Sequence, residues 1–195
     1  DIGNWQTSGL TNMTQMFYNC TGFNNGGSPS ISGWDTSSVT NMNAMFQGCD
    51  QFNQPIGGWN TSSVTSMQDM FRFANVFDQD LSSWNVAKVT QMSNMFHTCT
   101  GFNSDLSNWD VSGVTNMESM FNNARIFNNG GSTGINNWDT SSVTSMNSMF
   151  RSDNAFNQPI GNWDTSSVTN MSQMFMGSSL SRSLFNQDIG NWDVS

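Results

Sequence analysis

The chain has 195 residues and a formal net charge of −9, with five Lys and Arg in all. That balance weighs against nucleic acid, whose phosphates need clustered cations, and against anionic membrane surfaces. Hydrophobic residues make up 35% and charged residues 10%, so the chain is mostly Asn, Ser, Thr, Gln and Gly, a composition that alone would suggest disorder. No apolar run approaches the ~20 residues of a membrane-spanning helix.

Order comes from recurrence. Trp5, Trp34, Trp59, Trp84, Trp109, Trp138, Trp163 and Trp192 are separated by 29, 25, 25, 25, 29, 25 and 29 residues. A fixed period in this range marks a solenoid. The first coil runs from Trp5 to Gly33 and carries an enlarged loop at 24–30. The next three coils have the compact 25-residue form. The fifth repeats the enlargement at 128–134, and the sixth is compact. The seventh places its four extra residues within 176–184, and an eighth opens at Trp192. Insertions confined to set points predict surface loops there. The expected organisation is a single solenoid over 1–195, with seven full coils and a truncated eighth. Asp-Ile-Gly-Asn-Trp stands near both ends, at 1–5 and 188–192, so the chain reads as an excerpt of a longer array.

Within a coil, Ile56, Trp59 and Thr61 read as a short parallel strand, with Trp59 and Thr61 turned inward and Asn60 outward. Val64, Met67, Met70 and Phe71 then fall on one face at helical spacing, which predicts a short α or 3₁₀ segment. A second strand over 64–67 is the alternative, because β-branched residues recur there. One coil cannot bury its Trp, Met and Phe alone; stacking must do so, at about 2 kcal/mol per large side chain. The paired methionines, Met13 and Met16 through Met171 and Met174, read as core.

The pattern F-N-x-[DP]-I-x-x-W-D-[TV]-S-x-V-T-x-M-x-x-M-F resembles the BspA-like leucine-rich-repeat surface proteins. It is most similar to their tryptophan-containing branch, known from mycoplasma surface lipoproteins. The resemblance covers the whole chain. It implies a leucine-rich-repeat-like solenoid, secreted or on a cell surface, with adhesive or binding roles. Leu10 for Val, Asp78 for Asn and Ala87-Lys88 for Ser-Ser depart from the pattern without breaking its apolar frame.

The polar columns are the candidate sites. The residue after Trp is Gln6, Asp35, Asn60, Asn85, Asp110, Asp139, Asp164 or Asp193. These side chains share an oxygen suited to an Asx turn; stacked carboxylates would also suit a Ca²⁺ ion. A second column, Asn24, Asn53, Asp78, Asn103, Asn128, Asn157 and Asn186, suits a ladder satisfying loop backbone groups. A third, Thr11, Thr40, Thr65, Thr90, Thr115, Thr144 and Thr169, suits hydroxyl–backbone bonds or an ice-binding face. A partial one, Thr7, Thr36, Thr61, Thr140 and Thr165, is interrupted by Val86, Val111 and Val194. Sequons for N-glycosylation stand at Asn12, Asn19, Asn60 and Asn170. Asn60 is the best placed, and Asn19, beside Cys20, reads as occluded. Cys20, Cys49 and Cys99 share a phase otherwise held by Ala74, Ala124, Asp153 and Ser178. That phase reads as a small-residue packing position. Cys20 and Cys49 also lie in adjacent coils, at about 4.8 Å, within disulfide reach.

A single histidine, His97, few lysines and no phosphate loop leave no catalytic constellation to assign. The expectation is a non-enzymatic, extracellular scaffold without a cofactor, binding protein or glycan through an extended face. A self-assembling fibre of stacked units, binding copies of itself, is the alternative, and ice binding is the third.

Overall fold

The computed structural model describes residues 1–178 and 182–194. The seventh-coil enlargement includes residues 179–181, which lie outside the described residues.

The coil from Trp59 to Ser83 shows how the sequence folds locally. After Trp59, the Val64 N–H closes a turn onto the Thr61 carbonyl at 2.9 Å. Lateral pairing begins next, where the Thr65 N–H bonds the Thr40 carbonyl of the preceding coil at 2.8 Å. Parallel bridges then link Asn12, Asn41, Ser66, Gln91, Asn116, Ser145 and Asn170 in succession. The lateral pairing therefore falls in the 64–67 segment rather than at the Trp-containing 56–61 segment, where the sequence pattern suggests a strand. The inward and outward directions at 59–61 do hold: Trp59 and Thr61 are buried and Asn60 is exposed.

The Met-x-x-Met-Phe segment is not helical. From Met67 to Phe73 every second N–H reaches the next coil: Met67, Asp69, Phe71 and Phe73 donate to the carbonyls of Gln91, Ser93, Met95 and His97 at 2.9–3.0 Å. The N–H groups that alternate with them on Met70, Arg72 and Ala74 turn back three residues to Met67, Asp69 and Phe71, while that of Gln68 meets Asn43 Oδ1 in the preceding coil at 3.0 Å. The result is a train of overlapping turns bonded sideways. Its reversals require positive φ at two fixed points. The first is occupied by Gln15, Ala44, Asp69, Asn94, Ser119, Ser148 and Gln173, and the second by Asn19, Gly48, Phe73, Thr98, Asn123 and Ser152. A right-handed helix cannot contain such residues. Apolar spacing is satisfied all the same, because alternating turns also bring Met67, Met70 and Phe71 to one side.

The core is a set of ring columns. Phe46, Phe71, Phe96, Phe121 and Phe150 stack from coil to coil at 5.6–5.9 Å between ring centroids. A second column, Phe52, Phe77, Phe102, Phe127 and Phe156, runs beside it at 5.9–6.1 Å. Within a coil the two rings lie closer still, as in Phe71–Phe77 at 4.1 Å and Phe121–Phe127 at 3.8 Å. Val, Met and Ile or Leu of the inner coils fill the remaining space with no exposed surface, as Val64, Met67, Met70 and Ile56 do.

The tryptophans add a polar ladder that the sequence pattern alone does not reveal. Each indole N–H donates to the carbonyl three residues before the preceding Trp. Trp59 reaches Ile31 at 3.0 Å, Trp84 reaches Ile56 at 3.1 Å, and Trp109 reaches Leu81 at 2.9 Å. The same carbonyls also take the backbone N–H of their own coil's Trp, as Leu81 does from Trp84. A buried acceptor is thus filled twice, which Phe at this phase cannot do. Its only trace in the sequence is that Trp is never exchanged for another aromatic.

The enlarged loops are not simple surface excursions. Each folds as two 3₁₀ turns, Asn25–Gly27 with Pro29–Gly33 and Asn129–Gly131 with Thr133–Asn137. Ser28 and Ser132 cap the second turn through their hydroxyls. Asn25 and Asn129 are buried. Asn129 Oδ1 accepts the Leu106 N–H at 2.8 Å while Nδ2 donates to the Ser132 carbonyl at 2.9 Å. Asn25 treats Ile2 and Ser28 in the same way. The extra residues are therefore tied into the stack chiefly through this buried Asn, and the two loops share Asn-Asn-Gly-Gly-Ser as well as length.

Candidate binding surface: the polar columns

The column after Trp forms a row of Asx turns. Asp35 Oδ1 accepts the Ser37 N–H at 3.0 Å and the Ser37 hydroxyl at 2.6 Å. Asn60 with Ser62, Asp110 with Ser112, Asp139 with Ser141 and Asp164 with Ser166 repeat this pair of bonds. Asn85 keeps only the backbone bond, to Ala87. All these column residues are exposed. The Ser hydroxyl and amide hold Asp35, Asp139 and Asp164 below the usual carboxylate range, and charge repulsion from Asp164 and Asp193 opposes the shift in Asp139 and Asp164 respectively. Each such carboxylate spends one oxygen on its own turn. Among the described residues no three His, Cys, Asp or Glu side chains come together to ligate a metal.

The Asn24 column is a continuous side-chain ladder. Each Oδ1 accepts the backbone N–H of its successor: Asn24 from Asn53, Asn53 from Asp78, Asp78 from Asn103, Asn103 from Asn128, Asn128 from Asn157 and Asn157 from Asn186, at 2.7–3.0 Å. Gln54, Gln79, Gln158 and Gln187 clamp the same asparagines through their amide N–H groups.

Thr40, Thr65, Thr90, Thr115, Thr144 and Thr169 each donate the N–H and the hydroxyl to the carbonyl of the preceding Thr. All but the half-buried Thr115 are exposed. The partial Thr column lies inside: Thr7, Thr36, Thr61, Thr140 and Thr165 are buried. Thr36 donates to the Asn60 carbonyl at 3.0 Å, and Thr61 to that of Asn85 at 2.9 Å. Valine replaces Thr there without loss of packing, since Val86 and Val111 are buried too. Only one of the two Thr columns is therefore a surface.

The four sequon asparagines are exposed, Asn19 included, against the occlusion expected for it. Asn60 and Asn170 each accept both the amide and the hydroxyl of the sequon Ser, Ser62 and Ser172. Asn12 accepts the Thr14 amide at 2.9 Å.

Cys20 and Cys49 are unbridged thiols in this structure. Cys49 is buried and its Sγ donates to the Phe17 carbonyl at 3.0 Å; Cys99 does the same to Ala74 at 3.0 Å. Burial pushes the Cys49 thiol up to about 12, with Cys20 adding to the rise, and drives Cys99 well above its ordinary value. Both thiols are therefore held in the protonated form at neutral pH. The phase they share is a packing position in the inner coils, where Ala74 and Ala124 are also buried.

Two titratable groups stand out that the sequence pattern does not single out. Asp153 occupies the same packing phase and is buried, with Oδ1 accepting the Ala155 and Phe156 N–H groups while Oδ2 has no partner. Burial raises it to about 8 despite those bonds. Its signal in the sequence is a carboxylate in a column otherwise made of Cys, Ala and Ser. His97 is lowered to about 4 by burial, then by the Arg72 cation, with Asp69 opposing and Arg151 adding to the fall.

A family profile described as "Mycoplasma protein of unknown function, DUF285" matches residues 1–29, 26–133 and 127–195. No curated protein and no solved structure matches the chain. Those matched segments span every coil from Trp5 to Trp192, so the chain is a repeat protein belonging to the DUF285 family.

Proposed function

We propose that this chain is a non-enzymatic repeat scaffold at a cell surface or outside the cell, of the BspA-like type, that binds protein or glycan partners through an extended face. The observation that carries the reading is how the recurring residues are used. The rings, methionines, buried threonines and indoles all serve contacts between coils, and the recurring polar columns satisfy backbone groups. What remains outward is a long surface whose residues vary from coil to coil, a geometry suited to recognition over an extended area. Exposed sequons in Asx turns fit a secreted setting in which such asparagines carry glycans.

The test is saturable binding of the purified chain to intact cells and to immobilised matrix proteins and glycans. Deleting one compact coil, residues 59–83, keeps the register and is expected to weaken binding while leaving circular dichroism unchanged in shape. No saturable binding to any of these surfaces would sink the reading.

A further inference from the structure

The face formed by the turn trains carries exposed apolar side chains near its ends, Tyr18 and Met176, and a cluster in its middle coils. Phe73, Val76 and Ile126 are 37%, 42% and 48% exposed. Backbone bonds order the region from coil to coil. The Phe73 N–H meets the His97 carbonyl, the Thr98 N–H that of Asn122, and the Asn123 N–H that of Arg151. Val76 and Ile126 sit at one phase, two coils apart, with Gly101 between them. A Cβ on Gly101 would meet the Asn75 carbonyl oxygen at 2.9 Å, so this coil offers no side chain there. The result is a notch between two β-branched side chains, roughly 10 Å wide from two coil spacings.

Three of the five basic residues of the chain, Arg72, Arg125 and Arg151, belong to the same turn trains, one to four phases before Val76 and Ile126. Among the described residues the single ion pair joins Arg72 to Asp69, at 3.3 Å. Arg125 donates Nε to the Asn123 side chain at 3.0 Å, a neutral partner. A chain of net charge −9 thus concentrates uncompensated positive charge beside exposed apolar side chains. Phe73 adds a further sign. It holds φ at 62° where the equivalent positions are Asn, Gly, Thr and Ser, and a bulky residue in that region is strained.

We propose that Arg72, Phe73, Val76, Arg125, Ile126 and Arg151 form the docking surface for an extended acidic protein segment that carries an apolar side chain. This rests on the scaffold reading and names the partner of that scaffold. Charge complementarity selects an anionic partner, and the Val76–Ile126 notch selects an apolar group between its carboxylates. A sugar polymer fits less well. Sugars stack on open aromatic faces, whereas the Arg72 guanidinium covers one face of Phe73 at 4.9 Å, and Val76 and Ile126 offer nothing to hydroxyl groups.

The test is fluorescence anisotropy on the full chain with a labelled peptide alternating Glu and Leu. A Glu/Ser peptide and heparin are the comparison probes, and light scattering follows self-association. Two double variants borrow residues that other coils carry at the same phases, so the fold tolerates them: R125N/R151Q, as at Asn75 and Gln47, and V76Q/I126Q, as at Gln51. The Glu/Leu peptide is expected to bind saturably, and each double variant to weaken it about tenfold or more with an unchanged melting temperature. The Glu/Ser peptide is expected to lose a similar factor against the wild type. Absence of Glu/Leu binding, or binding indifferent to both variants, overturns the proposal. Heparin binding in place of the peptide overturns it in favour of an anionic glycan. Concentration-dependent dimers abolished by the same variants overturn it in favour of a second copy. Surface binding by the wild type without peptide binding would remove this site and leave the scaffold reading standing.

Discussion

Asp153 and His97 tilt the pH dependence of stability in opposite directions. The folded state holds Asp153 at about 8, against an ordinary 3.8, so folding favours its neutral form. Its contribution is fully present below the ordinary value and lost as pH rises through about 8. His97 is the reverse, held at about 4 against 6.5; its contribution is present above 6.5 and lost as pH falls through about 4. Denaturant titrations at several pH values check both. D153A places the residue of Ala74 and Ala124 in the column, and is expected to raise the denaturation midpoint at pH 9 and to remove the fall in stability that Asp153 causes between about pH 4 and 8. H97Q, borrowed from Gln47, is expected to flatten the acid slope. An unchanged slope between about pH 4 and 8 in D153A would mean that the carboxyl is solvated when folded.

The ladders belong to the scale of the coil. W109F keeps an aromatic ring in the column but strips the Leu81 carbonyl of its second donor and leaves a smaller ring. A loss of about 2–4 kcal/mol is expected from chemical denaturation. N103A removes the acceptor for the Asn128 and Gly130 N–H groups and is expected to cost about 1–2 kcal/mol. N103D borrows the residue that the preceding coil carries at Asp78; it keeps an oxygen in place and is expected to cost less than half as much. Equal losses for Ala and Asp would show that the ladder contributes through packing alone.

Much of this is legible in the residues. The Asx column can be read because Asp and Asn share one oxygen acceptor, and the Asn24 column because Asp78 substitutes for Asn. The methionines can be assigned to the core by their phase beside Phe. The 64–71 segment reads as helical because Val64, Met67, Met70 and Phe71 share one side both in a helix and in the train of turns. The distinction lies in backbone sign. Its trace is that Asp69, Asn94, Ser119 and Ser148 fall at one phase and Asn19, Gly48, Asn123 and Ser152 at another, residue types that favour turns. The buried roles of Asn25 and Asn129 are hidden because Asn beside Gly-Gly has the composition of any surface loop.

For the whole molecule, stability is a sum over coils and the interfaces between neighbours. Removal of residues 59–83 joins Gly58 to Trp84 and restores every ladder in register. The shortened chain is expected to unfold in one transition with a denaturant slope reduced roughly in proportion to its lost surface. Two resolved transitions would show that the deletion had split the stack. The acidic Asx column and the Arg125–Arg151 region occupy different phases of the coil. Peptide binding at the basic side is expected to weaken as salt screens it.

The direction of the ladders has a consequence for the field along the axis. The Met-x-x-Met-Phe turns send their lateral N–H groups toward the following coil, as do the buried Thr hydroxyls. The indoles, the outer threonines and the Asn24 column send theirs toward the preceding one. An α-helix aligns all its peptide dipoles and accumulates opposite partial charges at its poles. Here the two sets oppose each other in every coil. Lengthening the stack therefore adds contact area while the two sets offset each other, so less polarity accumulates per coil than in an α-helix of aligned peptides.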